Sequence, residues 1–463
     1  MDRDKTRSDR VSRTTRLSFM HLAAIIDMKN RILFSLLLFS WIYPETTAQD
    51  KPNVIVIMAD DIGYECYGHK GSEIYQTPHI DQLAASGAEF THAFAEPKCT
   101  PSRVALMTGR YPFRTYRAFG ELDLTQPTFA TMLQDHGYAT AIAGKWQLSP
   151  GNLKGPYQAG FDEYCLWHFS AAHDRKRQAN LPPQFRNKGS RYASPRLFEN
   201  GQLRTDTEDR FGPDIVTNFI CDFIDRKQDQ PFLVYYPMFL THSPFGPTPD
   251  SADWPTKNRN RKSIEHFKEM VAYMDKMVGK ITHKLETTGL RERTLILVTG
   301  DNGTDKKLSS PFPPRGVVKG GKGTMTDAGN RVAFVANWPG TIKPGTVIDT
   351  PICLPDVLPT LAEISGSTLP TTDGLSLVSL MKGLATEHRG WIFQSYGEKR
   401  PTLGSSRSFV RDADWKLYAD GSLYHVSEDW EEKTPVHTPA SEATRSRLES
   451  ILKNVIQSIP PTQ

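Results

Sequence analysis

The sequence predicts an α/β protein: a large, mainly parallel sheet sandwiched by helices, followed by a smaller C-terminal antiparallel α+β subdomain. Three observations carry that prediction. Five segments, at 54–58, 140–143, 232–236, 294–298 and 332–336, are apolar without alternation, the mark of strands covered on both faces. Helical patterns that stop at glycine alternate with them, and strand–helix alternation builds a parallel sheet. Beyond residue 385 the chain changes to short segments at 391–396, 408–411, 415–418 and 423–425, with turns between them that read as an antiparallel meander.

Taken in order, the chain opens on a leader, 1–48. Met28, Lys29, Asn30 and Arg31 precede an apolar-rich run at 32–43, then Pro44 and the small residues Thr46 and Ala48. This predicts a signal peptide over 28–48, too short to span a bilayer and ending in a cleavage site, with 1–27 an over-extended gene start. The protein is then exported, periplasmic or secreted, with no stable membrane span after leader cleavage. The body divides into a large domain, 49–385, and the C-terminal subdomain, 386–463. Helices at 78–86, 128–136 and 263–287 end near Gly87, Gly137 and Gly289, a further one covers 214–225, and 354–364 forms the last of the large domain. A closing helix at 440–456 precedes Pro460.

Composition narrows the function classes. Hydrophobic residues at 38%, charged residues at 23% and 33 each of Gly and Pro exclude a collagen, a coiled coil and a disordered tail. Residues 49–463 hold 48 Lys/Arg against 47 Asp/Glu, so there is no electrostatic footprint for nucleic acid. Cys66, Cys99, Cys165, Cys221 and Cys353 show no CxxC spacing, which argues against a thiolate zinc site. Their odd number leaves one unpaired; buried thiols and one or two disulfides both remain open for the others.

Chemistry in parallel sheets collects at the carboxyl ends of strands. The first strand runs into Asp60 and Asp61, the strand at 294–298 into Asp301 and Asn302, and that at 140–143 delivers Lys145. Three carboxylates and an amide oxygen on one edge repel each other without a cation, and hard oxygen donors select Ca²⁺ or Mg²⁺. The competing reading makes them ordinary turn formers and caps. Between these pairs, Pro101 suits a helix start and Gly109 its end, so Cys99 sits at a helix N-terminus, where free amides favour anions.

The run Cys99, Thr100, Pro101, Ser102, Arg103, with Thr108, Gly109 and Arg110 downstream, resembles the signature of the sulfatase family, in which the cysteine is oxidised to formylglycine (3-oxoalanine) by a maturation enzyme. The resemblance extends to Asp60-Asp61, Gly144-Lys145-Trp146, His242-Ser243-Pro244, Gly300-Asp301-Asn302-Gly303 and Gly320-Gly321-Lys322-Gly323-Thr324, in the family's order. It implies an alkaline-phosphatase-like fold and hydrolysis of sulfate monoesters, on a sulfated small molecule or polysaccharide. It also implies metal ligands Asp60, Asp61, Asp301, Asn302 and residue 99 itself, holding Ca²⁺ ahead of Mg²⁺. Arg103 would hold the hydrated nucleophile, Lys145 and Lys322 would clamp sulfate oxygens and His242 would protonate the leaving alcohol. Lysines and histidines singly are mostly solvated or structural; order and spacing within the motifs select these.

One departure matters. The family places a histidine two residues after the lysine of Gly-Lys-Trp, and this chain has Gln147 among its substrate-binding positions. Glutamine cannot act as a base near neutral pH. A relocated base such as His69 or His173 keeps the enzyme active, or the step runs through water at a lower rate; a catalytically impaired sulfoglycan-binding protein and a phosphodiesterase or phosphonate hydrolase of the same superfamily are the alternatives. Near Lys322, Gly316–Lys322 falls short of a phosphate loop because Gly323 stands where Ser or Thr is required. The basic stretch 167–210, with Arg175, Lys176, Arg177, Arg186, Lys188, Arg191 and Arg196, is either a polyanion-binding loop or a solvated surface.

Overall fold

The sheet is built where the apolar runs lie. A computed structural model describes residues 51–115, 117–171, 174–384, 388–396 and 407–458; the leader, His173 and Pro460 lie outside the described residues. In chain order the strands are β1 (Asn53–Ala59), β2 (Ala88–Phe94), β3 (Ala139–Lys145), β4 (Glu163–Trp167), β5 (Phe198–Glu199), β6 (Gln202–Leu203), β7 (Phe232–Pro237) and β8 (Thr294–Gly300). Next come a separate hairpin, β9 (Ser309–Phe312) and β10 (Gly316–Lys319), and then β11 (Arg331–Asn337) and β12 (Thr346–Ile348). Across the main sheet the order is β12-β2-β11-β8-β1-β7-β3-β4-β5-β6.

At its centre β8, β1, β7, β3 and β4 are neighbours and all parallel. Their alternate side chains face opposite sides of the sheet. Val54, Val56 and Met58 enter one core, and Ile55, Ile57 and Ala59 the other, so the lack of alternation in the sequence is the signature of two buried faces. Each such aliphatic burial contributes about 1.5–3 kcal/mol. The first core is covered by α1 (Cys99–Thr108), α2 (Phe129–Asp135) and α3 (Val357–Ser365) through Val104, Phe129 and Leu361. Helices Pro78–Ala85, Gly212–Arg226 and His266–Thr287 cover the second.

Three details depart from the sequence reading. Strand β11 pairs antiparallel to both β8 and β2; an apolar run announces burial on both faces but not direction. Strand β2 itself, AEFTHAF, passes unnoticed in the sequence because Thr91 and His92 interrupt its apolar pattern at the partly open edge of the core. The long helix begins at His266, three residues after the predicted Ser263, whose amide donates to the Phe245 carbonyl instead of opening the helix (3.1 Å).

The C-terminal meander is a four-stranded antiparallel sheet, β14-β15-β16-β17 (Ile392–Ser395, Ser408–Arg411, Trp415–Tyr418, Leu423–His425); β13 (Ile352–Cys353), the preceding strand, pairs with β2. Phe409, Leu417 and Leu423 pack with Leu448 and Leu452 of the closing helix Glu442–Gln457, and with Phe94 and Phe113 of the large body. A buried ion cluster reinforces the junction: Asp327 accepts from Arg411, Arg331 and Arg315.

Candidate active site

Parallel register converts sequence distance into proximity. Ala59 pairs with Gly300 across β1 and β8, so Asp60-Asp61 and Asp301-Asn302 leave adjacent strand ends together. The Asp301 amide donates to the Ala59 carbonyl (3.0 Å), and the Asp61 amide to Asp301 Oδ1 (3.1 Å). On the other side of β1, the Asp60 amide donates to Leu240 O and the Thr241 amide to Asp60 O (2.8 and 2.7 Å), which fixes the loop carrying His242. One strand further, Lys145 ends β3. Gly144 before it has φ +126°, and a Cβ there would lie 2.0 Å from the Pro237 carbonyl, so only glycine lets this strand end approach β7.

The side chains converge. Lys145 Nζ is 2.9 Å from both Asp60 oxygens. Lys322, brought in after the β9–β10 hairpin, donates to Asp61 Oδ2 and lies 3.3 Å from His242 Nε2. His242 Nδ1 donates to the Ser243 carbonyl (2.6 Å), which leaves Nε2 facing Lys322 and Asp61 Oδ2 (3.5 Å). Arg103, one turn into α1, aims Nη2 at Asp301 Oδ2 (2.8 Å) and stands 3.6 Å from Asp60. Its guanidinium therefore braces the carboxylates.

Cys99 is buried at the start of α1, preceded by Lys98 in extended conformation. Its Sγ donates to Gln147 Oε1 at 3.3 Å, so the glutamine that replaces the family's histidine touches the proposed nucleophile. Gln147 itself has φ +63°, and its amide donates to the carbonyl of His168 (3.1 Å). Of the two histidines named as a relocated base, His69 is engaged with Asp81 (3.1 Å) beside Thr77, and His173 lies outside the described residues.

Electrostatics separates the carboxylates. Burial alone would raise all three, but the charges of Lys145, His242, Arg103 and Lys322 hold Asp60 well below the usual range. Asp61 is also lowered against its burial, by His242 and Lys322. Burial and the nearby Asp60 charge push Asp301 up to about 7 despite Arg103 and Lys145. Burial pushes His242 down to about 4 against the pull of Asp61 and Asp60.

The donor set fits a divalent cation. Asp60, Asp61 and His242 present ligand atoms within 4.8 Å of one another, and Asn302 Oδ1 is buried with no hydrogen-bond partner while its Nδ2 donates to Asp61 Oδ1 (2.9 Å). A buried carbonyl oxygen left unpaired costs about 1–3 kcal/mol, a cost that coordination to a divalent cation would offset.

Sequence reasoning passed over Lys98 and His168, and named Arg191 only as one charge of a basic stretch. Lys98 lies against Gly323, where φ is +85° and a Cβ would meet Lys98 Cε at 2.8 Å; its position next to Cys99 could have flagged it. Arg191 donates to the Ser243 carbonyl (2.9 Å), the same oxygen that takes the His242 proton. His168, buried with φ +79°, offers no signal in the sequence, because its place depends on β4 pairing beside β3.

Cations gathered on carboxylates at the carboxyl edge of a parallel sheet, with a helix-start cysteine among them, characterise hydrolases of anionic esters. The chain belongs to the sulfatase family, which comprises sulfuric ester hydrolases: residues 52–367 match the Sulfatase family model. Arylsulfatase A of Homo sapiens is 34% identical over 370 residues, spanning 74% of this chain and 70% of that protein. Steryl-sulfatase of Mus musculus is 29% identical over 432 residues, 74% and 68% of the two chains. Among solved structures, the crystal structure of Ps i-CgsB superposes with a TM-score of 0.73 at 26% identity, covering 89% of this chain and 94% of its own. The family works through a formylglycine and a divalent metal.

Proposed function

We propose that this protein is an exported sulfatase whose Cys99 is matured to formylglycine, which binds Ca²⁺ through Asp60, Asp61, Asp301 and Asn302 and acts on sulfated carbohydrate. The observation that carries the reading is the convergence of Cys99, Lys145, Lys322 and His242 upon one carboxylate cluster. When bound, the metal supplies positive charge that lowers the cost of an oxygen nucleophile at residue 99 and of the sulfate's own charge. The chain's residues do the rest. Lys145 and Lys322, now resting on Asp60 and Asp61, turn to the sulfate oxygens as preorganised cations. His242 acts as proton donor in its imidazolium form, which the negative charge of a bound sulfate favours against the burial that keeps the free ring neutral, and Nε2 then hands its proton to the departing alcohol. Gln147, in contact with Cys99, orients the nucleophile by hydrogen bonds and leaves proton removal to another group.

Carbohydrate as the substrate is supported by Ps i-CgsB, which is also known in complex with k-i-k-neocarrahexaose. Export rests on the leader pattern alone; among the described residues no helix is long and apolar enough to cross a membrane. The division at residues 385 and 386, with the meander rimming the pocket, belongs to the same reading. The test is mass spectrometry of the Cys99 peptide from native-host protein, joined to assays of sulfate and phosphate esters of one leaving group. An oxidised residue 99 with preference for sulfate is the expected result. An unmodified cysteine with turnover, or preference for phosphate, overturns it, and tight glycan binding by matured protein without turnover selects the impaired binder.

A further inference from the structure

Beside the His242 loop opens a cleft of about 560 Å³. Lys188, Arg191, Arg259, Arg261 and Lys262 line it, and no Asp or Glu does. The two walls come from chain segments far apart in sequence and are tied to the catalytic loop. Arg191 is 5% exposed, stacks on the Trp167 ring at 4.4 Å and donates to the Ser243 carbonyl. The Ser263 amide donates to Phe245 O (3.1 Å), which anchors the 259–262 wall beside Pro244. Arg259 is paired with Asp209 (2.6 Å), and Arg261 stands 3.7 Å from Asp253. Lys188, Arg191 and Lys262 have no carboxylate partner among the described residues. Burial, Arg191 and Lys145 together lower the Lys188 pKa, so a bound anion relieves a repulsion already present. The shared Ser243 carbonyl ties this cleft to the Nδ1 side of His242, so it adjoins the loop of the proposed proton donor without being part of the Nε2 side that faces Lys322.

We propose that this cleft is a second anionic subsite, which takes a sulfate or carboxylate on the sugar next to the one being desulfated. The inference rests on the sulfatase reading for its orientation, but its test needs no turnover. The full chain carrying Cys99→Ala is titrated calorimetrically with three oligosaccharides of equal length. One carries a single sulfate, one a second sulfate on the neighbouring sugar, and one a uronate there. A second anion tightens binding about tenfold at low salt and less at high salt, as a paired charge in a partly open cleft should. Adding Lys188→Ala and Lys262→Ala removes that advantage and leaves the singly sulfated probe within about twofold. A gain for only one anion identifies it, and equal gains define a subsite for either. Equal affinity for one-anion and two-anion probes, or an advantage that survives both substitutions, overturns the subsite. Failure of the sulfatase reading shows separately, as absence of sulfate release by unsubstituted protein with oxidised residue 99.

Discussion

Two buried charge clusters of similar composition sit in this molecule, and they have been resolved in opposite ways. In the junction with the C-terminal sheet, Asp327 is surrounded by Arg411, Arg331 and Arg315, which hold it well below the usual carboxylate range despite its burial. None of these four side chains leaves a buried polar atom unpartnered. At the carboxyl edge of the main sheet, three acids crowd together, Asp301 is pushed up to about 7 by burial and Asp60, and Asn302 Oδ1 and Arg103 Nε stay unpartnered. A satisfied cluster stabilises the fold. An unsatisfied one keeps affinity in reserve for a ligand, which is why frustrated polarity, more than charge itself, marks the site.

The comparison breaks most sharply at Cys99. Cys99→Ala should abolish turnover, by about 10³-fold or more as for other nucleophiles, with the melting temperature unchanged; retained turnover removes the nucleophile assignment. Next, His242→Ala should cost about 10²–10⁴-fold in kcat on sulfates with poor leaving groups, and much less on activated aryl sulfates. Equal losses on both would take His242 out of the proton-donor role.

Stability should respond the other way round. Asp327→Asn strands three guanidiniums, and urea unfolding should record a loss of about 3–5 kcal/mol with kcat of the folded fraction little changed. Asp301→Asn should destabilise the metal-free protein less, because Asp60 already opposes its charge, while the rise in melting temperature on adding Ca²⁺ disappears. If both substitutions destabilise equally and the Ca²⁺ response survives, the two clusters are alike after all.

An effect outside both clusters belongs to Glu96, whose buried Oε2 lacks a partner and whose carboxyl is pushed up to about 8 by burial. The folded state thus keeps a proton that the unfolded chain gives up near its ordinary value of 4.5. Stability from this group is complete below that value and is lost as pH rises through it toward 8. Glu96→Gln should therefore raise the melting temperature at pH 8 relative to pH 5; an unchanged pH profile refutes a buried neutral acid.

Much of this was legible in the chain. The apolar runs located β1, β3, β7, β8 and β11 because burial on both faces demands them, and the glycine stops located helix ends because Gly109 takes φ +64°. Motif order picked out Cys99, Lys145, His242 and Lys322. Hidden were β2, whose polar residues sit where the core is open, and the pairing of Arg177 with Glu121 and of Arg196 with the Gln184 carbonyl. Those contacts withdraw part of the 167–210 charge from any ligand and leave Lys188 and Arg191 to line the cleft. All five cysteines are buried and free, a choice the odd count left open.

The sequence by itself determined which residue types stand at strand ends and at a helix start, since hydrophobic period, helix stops and hard-donor chemistry act over short spans of chain. Only the tertiary structure decided which of those ends meet. Parallel register between β1 and β8 sets Asp60 beside Asp301, and the Ser243 carbonyl joins His242 to Arg191. Such meetings depend on strand order and loop packing over hundreds of residues, and no local pattern encodes them.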